Sequence, residues 1–202
     1  MTIKILIDAG HGFDTLGKCS PDGKLREYAW AREIAKMVES KLKQLGYDAQ
    51  RITPEELDVS IPTRVSRINS ICRTVGAQNV LLVSIHNNAG GNGTWGNAKG
   101  FSVFVSKNSS ANSKKCATIF TNEAIARNMM GNRSIPAEKY WTWSWTTSDI
   151  GILKKSNCPA VLTENGFMDN KEECAYLLSE AGKQQFVDLH VSAITKYVKS
   201  LN

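Results

Sequence analysis

The sequence predicts an α/β fold: a single-domain, twisted, mostly parallel or mixed sheet flanked by helices. Three observations carry that expectation. Short apolar runs alternate along the chain with apolar stripes at helical spacing, the pattern of strand–helix units. One run, Val80 to Ile85, is apolar almost throughout, as a strand covered on both faces must be. No internal repeat or linker interrupts the 202 residues, so one domain covering residues 1–202 is expected.

The elements follow in order. Ile3 to Ile7 is a buried strand that enters the tight turn Asp8-Ala9-Gly10-His11-Gly12. After a polar loop, Phe13 to Lys24, a helix begins at Glu27. It carries Ala31, Ile34, Ala35, Val38, Leu42 and Leu45 on one face and stops at Gly46. Tyr47 to Ile52 reads as a second strand. Ser60 caps a helix with Val65, Ile68, Cys72 and Val75 on one face, ended by Gly76. The central strand Val80 to Ile85 runs into His86-Asn87-Asn88, and a Gly/Asn-rich loop spans Gly90 to Gly100. Phe101 to Val105 is a further strand, about Ser110 to Met130 a helix, and Trp141 to Trp145 part of an irregular aromatic loop. Pro159 to Thr163 forms the last strand, and Val187, Val191, Ile194, Val198 and Leu201 mark the final helix.

A chain of this length buries roughly 70% of its unfolded surface, enough to fold without disulfides or a structural metal. Any metal is therefore expected to be functional. The five cysteines are odd in number, widely spaced and never paired as CxxC, which argues for reduced thiols rather than a disulfide framework or a Cys-rich zinc site. Cys19 lies in the loop between two candidate ligands and is read as an ordinary loop residue. The net charge of +6 suits an anionic partner. No zinc-finger spacing, RNP-like strand or basic amphipathic helix accompanies it, so a nucleic-acid partner is not expected. The opening MTIKILIDAGHG has too short an apolar run for a signal peptide or a membrane helix, so synthesis in the cytoplasm and no membrane insertion are expected.

Three polar groups are expected immediately beyond strands: His11 after the first, His86 after the central one, Glu164 after the last. Ligands of open α/β sheets bind beyond the carboxyl ends of strands, where these groups can converge, and Glu27 at its helix start can reach the same rim. Two imidazoles and one carboxylate fill three positions of a zinc ion and leave the fourth for water. The other carboxylate, Glu164, then serves as general base. His190 adjoins the apolar stripe of the last helix and is assigned to the core.

The stretches IDAGHG, EYAWAREIA, SIPTRVSRIN, LLVSIHNNA, GFSVFV and ILKKSNCPAVLTENGFMDNKEE, in this order and across nearly the whole chain, resemble the amidase_3 family of zinc-dependent N-acetylmuramoyl-L-alanine amidases. The resemblance implies Zn2+ on His11, Glu27 and His86, Glu164 as the catalytic carboxylate, and bacterial peptidoglycan as partner. It also implies action on the cell wall after release, as an endolysin or autolysin. The pattern departs at Phe13, Thr163 and Asn165, none of which is expected to touch a proposed ligand. Asn87 and Asn88 are expected to order the loop beside the metal, and Trp95, Tyr140, Trp141, Trp143 and Trp145 are candidates for lining a groove.

Three rivals follow from the same residues. Gly10, Gly12 and Gly17 after a first strand are compatible with a dinucleotide loop, although Pro21 and Asp22-Gly23 intervene before any helix. A zinc peptidase acting within the peptide stem would use the same chemistry. A catalytically dead wall-binding module would have lost a ligand or the base, and all four residues are present.

Overall fold

In the computed structural model, which describes residues 2–129, 131 and 150–201, five strands form one mixed sheet in the order β2-β1-β3-β5-β4. β1 (Lys4–Ala9), β2 (Ala49–Arg51), β3 (Val80–Asn88) and β5 (Ala160–Phe167) run parallel. β4 (Phe101–Phe104) is the antiparallel edge against β5. Six α-helices are found among the described residues.

Alternation along the strands divides the core into two halves. Ile5 and Ile7, Leu81, Val83 and Ile85, and Val161 face α1 (Glu27–Gln44), α3 (Ala111–Ala126), α5 (Lys171–Leu178) and α6 (Glu180–Lys199). Leu6, Leu82 and Leu162 face α2 (Ile61–Val75) and the short α4 (Gly151–Lys155). β3 and β5 read as apolar in sequence because both of their faces are covered.

Ser60 caps α2 through the Thr63 amide, and Gly76 ends it with φ 88, as expected. Leu45 and Val75 are exposed rather than part of their stripes, since Leu45 is the C-cap just past α1 and Val75 the last residue of α2. α3 stops at Ala126, short of Met130, and Asn128 follows in the left-handed region at φ 54. α4 and α5 were not foreseen. Both are short, and α5 is separated from α6 only by Ser179, whose hydroxyl accepts from the Gly182 amide and starts the new helix.

Two strand ends require correction. β3 continues through Asn88 and β5 through Phe167, so His86 and Glu164 lie inside strands rather than beyond them. Pairing survives because a bulge sets Asn165 and Gly166 opposite Asn87, with Gly166 at φ 86. The aromatic stretch Trp141 to Trp145, with Tyr140, lies outside the described residues.

Candidate metal centre

β1 lies between β2 and β3, so the chain changes direction across the sheet at β1/β3, and the carboxyl ends of these two strands diverge into a crevice. His11 follows β1 and His86 sits near the end of β3, one on each side of that crevice. Glu27, the first residue of α1, closes the set from the helix end and is only 1% exposed.

The donor atoms of His11, Glu27 and His86 all lie within 4.8 Å of one another, the one such cluster among the described residues. Glu27 Oε1 accepts from His86 Nδ1 at 3.0 Å, and its Oε2 lies 3.4 Å from His11 Nε2. The two rings meet edge to face with centroids 5.2 Å apart. Donors on a tetrahedral zinc with bonds of about 2.05 Å are ~3.3 Å apart, and the spacings of 3.0 and 3.4 Å, one to each Glu27 oxygen, lie close to that value. Two imidazoles and one carboxylate are also the donor chemistry zinc favours. Cys19 is not in the cluster; it pairs with Arg26 in a single antiparallel bridge.

Burial raises the pKa of Glu27, but hydrogen bonds from His11 and His86 outweigh it and hold the carboxyl far below its ordinary range. For His86, burial opposes protonation, yet the Glu27 carboxylate prevails and its pKa is raised. Glu164 stands directly beside His86 in the parallel register of β3 and β5, so both side chains leave the same face of the sheet. Burial pushes its pKa to about 7, with Glu27 adding to the rise and His86 opposing it. Its Oε2 is shielded and has no hydrogen-bond partner among the described residues. A carboxyl poised near neutrality is suited to taking and returning a proton.

His11 sits at φ 56, a region a non-glycine residue adopts only when its surroundings hold it there. Two arginines do so. Arg32 of α1 donates to the Gly10 and His11 carbonyls at 3.3 and 2.8 Å, and Arg64 of α2 donates to the Ala9 and His11 carbonyls at 2.6 and 3.2 Å. Arg64 also bonds Asp8 at 2.7 Å, Asp58 at 2.8 Å and the Val59 carbonyl at 2.6 Å, so all five of its N–H donors are engaged. Asp8 in turn accepts from Ser84 Oγ at 2.5 Å. A Cβ on Gly10 would overlap the His86 ring, and one on Gly12 would strike the Leu57–Asp58 backbone. These glycines permit close packing, which removes the reason to read them as a phosphate loop.

The asparagines divide the supporting work. The Asn87 amide donates to Glu27 Oε1 at 3.1 Å, so this residue does order the site, whereas the Asn88 side chain accepts from the next amide, that of Ala89. Asn165, expected to stay clear of the ligands, donates from Nδ2 to the His86 carbonyl at 2.8 Å, because the bulge carries it over β3. Trp95 is part-buried against the core, with the Lys171 ammonium 5.9 Å from its ring centre. His190 is core, as expected: its Nδ1 lies 2.7 Å from the Phe186 carbonyl and its Nε2 3.0 Å from Thr163 Oγ1.

Arg32, Arg64, Asp8 and Asn165 escaped the sequence reading. One signal was present for Arg64, which stands four residues before Ile68 and eight before Cys72 and so falls on the apolar stripe of α2. An arginine on a core-facing stripe requires acceptors, and Asp8 in an otherwise apolar strand was the partner to seek.

Fold and site together define an α/β protein with a metal-competent crevice at the switch point of its sheet, bordered by a carboxyl able to act as acid and base. Residues 5–196 match the family Amidase_3, N-acetylmuramoyl-L-alanine amidase, and the chain belongs to that family. It is accordingly an enzyme, a peptidoglycan hydrolase. It is 26% identical over 199 residues to the endolysin of Bacillus phage SPP1, covering 97% of this chain and 66% of that protein. With the N-acetylmuramoyl-L-alanine amidase CwlM of Bacillus licheniformis it shares 28% identity over 196 residues, 96% of this chain and 68% of the relative. The fold matches the N-acetylmuramyl-L-alanine amidase Ami1 of Mycobacterium smegmatis with TM-score 0.81 at 20% identity, covering 98% of this chain and 97% of the other. No helix among the described residues is long and apolar enough to cross a membrane.

Proposed function

We propose that the chain cleaves the amide between N-acetylmuramic acid and L-alanine using zinc held by His11, Glu27 and His86, with Glu164 as general base and then acid. The observation that carries this reading is the convergence of three metal donors beside a carboxyl with a raised pKa, each supplied by a different element. When bound, the ion supplies Lewis acidity, bringing the pKa of water to about 7 and polarising the scissile carbonyl. Glu164 accepts a proton from the attacking water as the C–O bond forms. It delivers that proton to the departing nitrogen as the C–N bond breaks, leaving a muramoyl carboxylate and a free L-alanine amine. Arg32 and Arg64 keep His11 in its strained conformation, and the Asn87 amide and the His86 ring hold the Glu27 carboxylate in place.

Peptidoglycan is the proposed partner and the cell wall the site of action. The test is a digest of defined muropeptides with and without chelator, read by mass spectrometry. Stem peptides with a new L-alanine terminus, lost with chelator and regained with zinc, are expected. Cleavage inside the stem would favour the peptidase instead, and undiminished activity in chelator would remove the metal from the mechanism.

A further inference from the structure

The pairing of β3 with β5 shifts register between His86 and Asn88, so the ladder is interrupted right after the pair, His86 and Glu164, that supplies a metal donor and the base. Two side chains brace the gap. Beyond Gly166, the Glu173 carboxylate accepts from the Phe167 and Gly100 amides at 2.7 and 2.8 Å and holds the end of β5. Directly after Glu164, Asn165 turns its side chain back to β3: Nδ2 donates to the His86 carbonyl at 2.8 Å and to Thr163 Oγ1 at 3.1 Å. Both hydrogens of that nitrogen are thereby used.

The direction of this amide is set from the core. His190 Nδ1 faces the Phe186 carbonyl at 2.7 Å, which can only accept, so this nitrogen carries the proton of the neutral ring and Nε2 presents a lone pair. Thr163 Oγ1, 3.0 Å from Nε2, gives its hydrogen there, and its oxygen is left to accept from Asn165. A carboxamide turned the other way would set Oδ1 against the His86 carbonyl. Asn165 is also fully buried, and its Oδ1 has no hydrogen-bond partner among the described residues, a penalty that an apolar side chain of the same branching would not carry. Packing alone therefore does not account for an amide at this position. What it does that leucine could not is hold the His86 peptide.

We propose that Asn165, oriented by Thr163, is a positioning residue for the reaction: it fixes the His86 backbone to the strand segment that carries Glu164, so that the third metal donor and the proton carrier keep one mutual geometry where the ladder is broken. This rests on the amidase reading above. Neither side chain touches substrate. Their effect falls on turnover, because Glu164 must stay within hydrogen-bond reach of the water it deprotonates, and a misplacement of about 1 Å is enough to slow such a step ~100-fold. Thr163 and Asn165 flank Glu164 at the two positions of this strand where the sequence departs from the pattern it resembles, which makes the brace a property of this chain.

The test uses the full chain with a defined muropeptide. Asn165→Leu keeps the branching of the side chain and removes both donors. At saturating zinc its kcat per folded molecule should fall about 10–100-fold with KM within about twofold, and its zinc affinity by chelator competition should fall about tenfold. Thr163→Val and Thr163→Ser carry the same test through a second residue, and decide it alone if the leucine variant does not fold. The valine variant loses the hydroxyl that receives the Asn165 hydrogen and should lower kcat about tenfold, whereas the serine variant keeps it and should stay within about twofold of wild type. Wild-type kcat and zinc affinity in folded Asn165→Leu or Thr163→Val, whatever the thermal midpoint, overturn the positioning role and leave the amidase intact. Equal losses in the valine and serine variants overturn it too, since the hydroxyl would then not be the acting group. Absence of any L-alanine-terminated product from wild-type protein overturns the amidase reading itself, a distinguishable outcome.

Discussion

His86 and His190 are both largely enclosed by the fold, yet their surroundings send them in opposite directions. His190 lies between a backbone carbonyl and a threonine hydroxyl, both neutral, and burial pushes its pKa down to about 4. His86 faces the Glu27 carboxylate, which overcomes the same burial penalty and raises its pKa. The core region is closed: both His190 nitrogens have partners, and nothing is left over. The rim retains unused capacity, with Glu164 Oε2, Asn87 Oδ1 and Asn165 Oδ1 shielded and without a hydrogen-bond partner among the described residues. Spare polar capacity beside a carboxylate pair separates a reaction site from a well-packed polar core.

The sharpest way to break this comparison is to exchange the fates of the two histidines. His86→Ala should empty the metal site and lower activity well beyond the roughly 10–100-fold typical of losing an outer partner, while metal-free thermal stability barely changes. Metal analysis and calorimetry check this, and a collapse of the fold would make the centre structural. Next, Glu164→Gln should cost on the order of a hundredfold to ten-thousandfold in turnover with zinc retained, whereas Glu27→Gln should lose metal and activity together. A metal-loaded, inactive Glu27→Gln alongside an empty Glu164→Gln would reverse the assignment.

The core histidine predicts a pH effect rather than a catalytic one. Its folded pKa of about 4 lies below the unfolded value near 6.5, so the unfolded chain takes up the proton first as pH falls. Stability from keeping it neutral is complete above about pH 6.5 and is eroded by up to about 3 kcal/mol on descending to pH 4. Denaturant titrations of His190→Gln should have a flatter slope across that window. The smallest effect is expected at Arg32, which shares its grip on the His11 carbonyl with Arg64. Arg32→Lys should weaken zinc affinity by about tenfold, measured by chelator competition.

Much of this was legible from residue order alone. Apolar runs located β1, β3 and β5, because strands covered on both faces write themselves as nearly continuous Val, Ile and Leu, whereas the short edge strands β2 and β4 were placed without such a run. The short α4 and α5 left no usable period. Strand ends were misplaced at His86 and Glu164, since polar side chains at a rim look like a loop although the backbone goes on pairing. The four candidate site residues could be picked out because glycines bracket His11, apolar runs lead into His86 and Glu164, and a helical stripe begins at Glu27. Their supports could not: Asp8 and Arg64 meet across 56 positions, and Asn165 acts only through a bulge that no local pattern announces.

The order in which the sheet is laid down has a further consequence for maturation. The first donor follows β1, the second opens α1, and the third arrives with β3, about sixty residues later. β1 and β3 pair in parallel across some 76 positions, a non-local contact of the kind that forms slowly. The proposed ion is therefore expected to enter a finished crevice rather than to nucleate folding. Chains refolded in chelator should reach the native sheet at an undiminished rate, and zinc then added in excess should enter in a separate, concentration-dependent phase that serves as a clock for the last docking step.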